Sequence, residues 1–132
     1  MRSPPDQRSG VVHELSIAMS LVELASERAA EIGEARVAAV HVRIGPLAGV
    51  VEEALRFSFD AAAGGTPVEG ARLVVERMPA EVFCAPCGVE RVLDEPLRFR
   101  CPVCGAPTVD VVRGREIELT ALEVEEHAAA DR

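Results

Sequence analysis

The chain of 132 residues contains no Lys, Trp or Tyr, and its aromatic content is only 3%. The core must therefore be aliphatic, and the 48% share of hydrophobic residues is enough to build one. Without Lys there is no Gly-rich loop ending in Lys-Ser or Lys-Thr, which excludes P-loop nucleotide hydrolysis. No apolar run approaches the roughly 20 residues that a membrane-spanning helix needs.

Basic residues are outnumbered, with 22 acids against 14 bases and a net charge of −8. An acidic chain repels phosphate backbones, which argues against non-specific binding to nucleic acid. The first eleven residues are polar and lack the apolar segment of a secretory signal. We therefore expect a cytoplasmic protein, in which cysteines stay reduced.

Hydrophobic spacing predicts helices over residues 14–32 and 51–63, and strands over 36–45, 71–78 and 115–124. The expected fold is α+β, with two helices packed on a small three-stranded sheet. A four-cysteine module resembling a zinc ribbon is inserted before the third strand. The predicted boundaries are a disordered extension over 1–11, an α/β domain over 12–78 with 115–126, the cysteine module over 79–114, and a tail over 127–132.

The cysteines form two Cys-x-x-Cys pairs, Cys84 with Cys87 and Cys101 with Cys104, separated by thirteen residues. This spacing lets four sulfurs point at one tetrahedral ion, and thiolate softness favours Zn²⁺. Protein ligands fill all four positions, which indicates a structural rather than a catalytic zinc site. A Gly follows each pair, as the tight turns of such a site require.

Two other interpretations of the cysteines remain open. They could be reduced pairs without metal, or a redox dithiol, although the surrounding Pro and Gly residues do not fit a dithiol that opens a helix. The module has few apolar residues to pack and is expected to need its metal to fold. The candidates for packing are Phe83, Val89, Val92, Leu93, Leu97 and Phe99.

Residues 13–20, with the sequence His-Glu-Leu-Ser-Ile-Ala-Met-Ser, resemble the opening of the HypA family, the hydrogenase nickel-incorporation proteins. The likeness covers residues 12–126. It continues through Val-Arg-Ile-Gly at 42–45, Leu-Ala-Gly-Val at 47–50, residues 53–59, Gly-Ala at 70–71, both cysteine pairs and Gly-Arg-Glu at 114–116.

The resemblance implies a nickel metallochaperone that is not an enzyme. It implies transferable Ni²⁺ on His13 and Glu14 of the α/β domain, and structural zinc on the four cysteines. The implied partners are a nickel-handling, HypB-like GTPase and the large subunit of [NiFe] hydrogenase, with no nucleic acid or membrane. A homodimer is one expected oligomeric state.

The sequence departs from the family pattern at its start. Family members begin Met-His-Glu, so that the terminal amine, an amide and the imidazole can chelate one Ni²⁺ ion, whereas here eleven residues precede Val12. If translation starts at Met1, this chelate cannot form as described. If it starts at Val12 with a GTG codon, which we favour, residues 1–11 are a misassigned start.

Other candidate residues have more ordinary interpretations. His41 is expected to be a solvated strand residue, and His127 to lie in the tail. Glu52 and Glu53 open the second helix, where acids complement the helix dipole, although they could also reach the nickel ion.

The alternative function is a zinc-ribbon protein that binds nucleic acid, or another zinc-stabilised adaptor. The balanced charges over residues 89–100 do not favour nucleic acid. A zinc hydrolase would need an open coordination position, which four cysteines do not leave.

Overall fold

The structure is a computed structural model that describes residues 6–33, 36–95 and 97–125. Its elements are α1 (Asp6–Glu31), β1 (Val37–Ile44), a 3₁₀ turn (Pro46–Ala48), α2 (Glu52–Ala63), β2 (Arg72–Arg77), β3 (Glu81–Cys84), β4 (Val89–Val92), β5 (Val111–Arg113) and β6 (Ile117–Val124). The strands form two three-stranded sheets, with orders β2–β1–β6 and β4–β3–β5. This confirms the predicted α+β class with two helices, a three-stranded sheet and a separate cysteine module.

The chain divides into two compact units. The first comprises the segments before Arg43, Val50–Val74 and from Leu119 onwards, and the second comprises Arg43–Gly49 and Val75–Glu118. The domain boundaries drawn from the sequence stay predictions. The predicted tail over 127–132 lies outside the described residues.

In the first unit, α1 packs against α2. The two helices share an aliphatic core because each repeats small or branched apolar residues at helical spacing. The buried residues on α1 are Ala18, Leu21, Val22, Ala25 and Ala29, and those on α2 are Leu55, Phe59 and Ala63. The turn after α1 contains Gly33, which has a φ of 97°, a conformation that favours glycine. The helix therefore ends at this glycine, as predicted.

The start of α1 differs from the prediction. The helix begins at Asp6, whereas the sequence predicted disorder through residue 11 and a helix from residue 14. Pro4 and Pro5 precede Asp6, and the sequence has no proline between Asp6 and His13, so proline does not interrupt the helical backbone there. His13 and Glu14 therefore lie within α1 and not at its entry.

Strand β1 shows the alternation that its sequence predicts. Val40, Val42 and Ile44 are fully buried, while His41 and Arg43 are half-buried. Alternate residues of a strand point to opposite faces, so one face of β1 is available to the core.

In the second unit, the loop after β1 lies against the segment before β6. The N–H groups of Gly45 and Leu47 donate to the carbonyls of Glu116 and Gly114, at 2.8 and 2.7 Å. A Cβ at Gly45 would lie 2.2 Å from the Gly114 carbonyl oxygen. Only glycine at position 45 allows the two backbone segments to approach so closely.

Candidate metal centre

The first cysteine pair lies at the end of the β3–β4 hairpin. The strands are antiparallel, with Cys84 opposite Val89. The N–H of Gly88 donates to the Cys84 carbonyl at 2.7 Å, and Gly88 has a φ of 75°. This left-handed residue closes the turn that brings Cys87 back beside Cys84.

The second cysteine pair repeats this geometry in a turn flanked by an isolated antiparallel bridge between Arg100 and Pro107. The N–H of Gly105 donates to the Cys101 carbonyl at 2.8 Å, and Gly105 has a φ of 78°. The Cys101 N–H in turn donates to the Ala106 carbonyl at 2.9 Å. The predicted need for a glycine after each pair is confirmed in both turns.

The four cysteine sulfurs lie within 4.8 Å of one another. The Sγ atoms of Cys84 and Cys104 are 3.6 Å apart, and those of Cys87 and Cys101 are 3.9 Å apart. A tetrahedral ion with metal–sulfur bonds of about 2.3 Å places its ligands about 3.8 Å apart. All four cysteines are free thiols. Their spacing fits one tetrahedral ion.

Two backbone N–H groups stabilise the thiolate form of Cys101. The N–H groups of Cys104 and Val103 both point at Cys101 Sγ, each at 3.4 Å. Together with the neighbouring sulfurs they outweigh burial and lower the pKa of Cys101 to about 6. This thiolate exists near neutral pH and is ready to bind a cation.

The pKa of Cys84 shifts in the opposite direction to that of Cys101 when no cation is present. The backbone N–H of Cys87 favours its thiolate, but burial and the three other sulfurs outweigh this effect and raise the pKa of Cys84 to about 12. Several thiolates cannot ionise so close together without compensating positive charge. The centre therefore has the chemistry of a site completed by a metal dication.

Arg91 on β4 supplies one positive charge beside the centre. A hydrogen bond to Cys87 and the negative charge of that sulfur raise the pKa of Arg91, against the effect of burial. The sequence pattern does not reveal the position of Arg91, because its place beside the sulfurs depends on the strand register. Arg91 lies opposite Val82 in the β3–β4 pair.

The apolar cluster of the second unit contains only part of the set that the sequence suggested. Ala80, Val82 and Leu93 are buried together, with Leu47, Phe99 and Val111 packed against them. Of the six predicted packing residues, only Leu93 and Phe99 belong to this cluster, whereas Phe83, Val89, Val92 and Leu97 are exposed. Val82 faces the cluster, so the alternation of β3 turns Phe83 to the other face.

The two predicted nickel ligands have different environments. His13 is exposed, whereas Glu14 is only 1% exposed. The Glu14 carboxylate accepts a hydrogen bond from the Val51 N–H, with Oε2 2.5 Å from the nitrogen. Within the described part of the chain, the four cysteines are the one group of three or more His, Cys, Asp or Glu residues placed to hold a metal.

The remaining candidates have protein partners or lie outside the described residues. His41 donates from Nε2 to Glu123 Oε2 at 2.6 Å, so this half-buried residue has a carboxylate partner on the sheet. Glu52 accepts hydrogen bonds from Arg56 one helical turn away. Glu53 is exposed. His127 lies beyond the described ranges.

Known proteins resemble this chain over nearly its whole length. The family described as "Hydrogenase/urease nickel incorporation, metallochaperone, hypA" matches residues 12–124. The hydrogenase maturation factor HypA of Chloroflexus aurantiacus is 56% identical over 112 residues, covering 85% of this chain and 98% of that protein. The same factor from Deinococcus radiodurans is 44% identical over 108 residues, covering 82% and 89%.

A solved structure has the same fold. The solution structure of the Ni metallochaperone HypA from Helicobacter pylori aligns with a TM-score of 0.62 at 24% identity, covering 84% of this chain and 96% of that one.

Fold and site together define a small α+β protein with a four-sulfur metal centre in one unit. The other unit carries a second candidate metal ligand, the exposed His13. No helix within the described ranges is long and apolar enough to cross a membrane. The family match over residues 12–124 includes His13 and all four cysteines. The chain belongs to the HypA family.

Proposed function

We propose that this protein is a nickel metallochaperone, which binds Ni²⁺ as cargo and delivers it during the maturation of [NiFe] hydrogenase. The observation that carries the proposal is the family match, which includes both candidate metal sites. The two sites differ as expected for one site that retains its metal ion and another that passes its ion on. Four converging sulfurs would enclose one ion, whereas His13 is exposed.

The four-cysteine centre is proposed to hold zinc permanently on Cys84, Cys87, Cys101 and Cys104. Zinc would balance the negative charge of four thiolates, which cannot all form without a cation. It would also stabilise a module that has only a small apolar cluster. A centre with four protein ligands leaves no position for a reacting water, which supports a role without catalysis.

Nickel is proposed to bind at His13, through a nitrogen of the imidazole side chain. An exposed imidazole can exchange a metal ion with a partner, and nitrogen ligands suit Ni²⁺. The family resemblance also assigns Glu14 to this ion, although one oxygen of its buried carboxylate accepts the Val51 N–H. If translation begins at Val12, the terminal amine would complete the chelate.

The proposed partners are a HypB-like GTPase, which handles nickel, and the large subunit of the hydrogenase, all in the cytoplasm. A homodimer stays one expected oligomeric state. The alternative of a zinc-ribbon protein that binds nucleic acid is not favoured, because the net charge is −8.

The test is a competitive nickel titration of the zinc-loaded protein in two versions. One begins at Met1 and the other has Met in place of Val12. We expect about one tight Ni²⁺ per chain in the shorter version, and loss of this ion in His13→Ala with zinc unchanged. His41→Ala is the matched control, because that histidine is engaged with Glu123.

The outcomes separate the alternatives. Equal nickel binding by both versions would show that the terminal amine is not a ligand and that side chains hold the ion. Binding that survives His13→Ala would remove His13 from the site. A protein with full zinc that binds no nickel in either version would refute the chaperone proposal.

A further inference from the structure

Helix α2 has no side-chain cap of its own at its N-terminal end. Its N-cap residue is Val51, with extended backbone angles of φ −89° and ψ 115°, and its side chain cannot accept a hydrogen bond. The Val51 carbonyl accepts the first helical bond, from Leu55 N at 2.9 Å. In a capping box, a Glu or Gln at the third helical position would reach back to the Val51 N–H, but here that position is Ala54.

Glu14 supplies this missing hydrogen bond from the other helix. Its Oε2 lies 2.5 Å from Val51 N, across 37 residues of sequence. Its carboxylate therefore makes, between two helices, the contact that a capping box makes within one helix. The positive end of the α2 dipole favours a negative group at this place.

The burial of Glu14 indicates that this contact is structural. A carboxylate is buried at high cost unless it is hydrogen-bonded, and Glu14 is 1% exposed. A cargo ligand must instead be accessible to the solvent and to the receiving protein. His13, the preceding residue in α1, is exposed and meets that requirement.

We infer that Glu14 is a positioning residue, whose buried carboxylate ties α1 to the N-terminal end of α2 and fixes the backbone from which His13 holds nickel. The nickel part of this inference rests on the function proposed above. The capping part concerns the apo protein alone and is measured separately.

The experiment compares three variants of the zinc-loaded protein, each made in two versions, one that begins at Met1 and one that has Met in place of Val12. Glu14→Gln keeps an oxygen acceptor for the Val51 N–H, and Glu14→Ala removes it. Val51→Pro removes the N–H donor while keeping the Glu14 carboxylate, and proline is tolerated at the start of a helix. Glu27→Ala, which removes an exposed acid of α1, is the matched control.

The first readout is hydrogen exchange of the Val51 amide, followed by NMR without nickel. We expect roughly 5- to 30-fold faster exchange in Glu14→Ala, because the loss of a helix cap has this size. Glu14→Gln and the control should stay close to the wild type. An unchanged rate in Glu14→Ala would overturn the inference, whether or not the protein binds nickel. If Glu14→Ala does not fold, Val51→Pro tests the same hydrogen bond through nickel binding.

The second readout is nickel affinity together with the visible absorption spectrum of bound Ni²⁺. We expect Glu14→Ala and Val51→Pro to weaken binding about 10- to 100-fold, as the loss of a ligand-supporting contact does. Glu14→Gln should restore binding and leave the spectrum unchanged. Equal losses in Glu14→Gln and Glu14→Ala, with full binding in Val51→Pro, would make Glu14 a ligand and overturn the inference. Absence of nickel binding in the wild type of both versions would instead refute the proposed function and leave the exchange result standing.

Discussion

Replacing Cys101 with serine removes the sulfur that the protein backbone prepares best for metal binding. Two N–H groups, from Cys104 and Val103, point at this sulfur and help to lower its pKa to about 6. A serine hydroxyl stays protonated at neutral pH and cannot replace the thiolate. The substitution should therefore cost one full metal ligand, while the shape of the turn, set by Gly105, is kept.

The size of the effect follows from the four-sulfur geometry. Structural zinc sites bind with an apparent free energy of about 10–16 kcal/mol at pH 7. Divided equally among four ligands, this energy is about 2.5–4 kcal/mol for each sulfur. One sulfur then corresponds to roughly 10²- to 10³-fold in the zinc dissociation constant.

The assay is competition for zinc against a chromophoric chelator, combined with NMR of backbone amides. We expect the affinity loss to be accompanied by loss of dispersed signals from residues 79–114, while signals from α1 and β1 remain. The control is Val103→Ala in the same turn, which trims an exposed side chain and keeps every sulfur. Zinc affinity within about threefold of the wild type in Cys101→Ser would refute the four-ligand assignment. Simultaneous loss of the α1 signals would refute the independence of the cysteine module.

Two further predictions concern the first unit. Phe59→Ala should lower the free energy of unfolding by about 3–5 kcal/mol in urea titrations, because Phe59 is 1% exposed and its loss leaves a cavity. Glu123→Gln should destabilise the protein at neutral pH, since the hydrogen bond from His41 and the charge of Arg72 outweigh burial and lower the pKa of Glu123. A lowered pKa stabilises the fold above the ordinary value, near 4.5, and this contribution is lost as the pH falls through the folded-state value. Urea titrations at several pH values should therefore show the difference between wild type and variant shrink as the pH falls below 4.5.

Each of these two predictions has an internal control. Phe57→Ala changes the same residue type on α2, but Phe57 is 78% exposed, so the stability should change by less than about 0.5 kcal/mol. Similar losses for the two phenylalanines would mean that burial is not the cause. For Glu123, a difference that grows as the pH falls below 4.5 would have the wrong sign and would contradict the lowered pKa of this carboxyl.

Local spacing was enough to predict the features that depend on neighbouring residues. The helical repeat between Val51 and Ala63, the alternation of β1 and the two glycine-closed cysteine turns all appear in the structure. These patterns are reliable because side-chain periodicity and turn geometry are set within a few residues. The convergence of four sulfurs also follows from the paired spacing, as the zinc-site pattern predicts.

Features that depend on distant contacts were not accessible from the sequence. The predicted packing of Phe83 and Val92 is wrong, because the β3–β4 register places both on an exposed face. The same register places Arg91 opposite Val82, and it is the folded hairpin that brings this arginine to the sulfurs. Alternation of apolar residues along a strand shows which residues share a face. It does not show which face packs against the rest of the protein.

The clearest division between sequence and tertiary structure runs between two adjacent residues. His13 and Glu14 were predicted together as a nickel site, and the sequence treats them as one motif. Packing of α1 against α2 leaves His13 exposed and buries Glu14 against the Val51 N–H. A motif identifies the chemical groups that are present, whereas their exposure is decided by helix packing, because the partner of Glu14 lies 37 residues away.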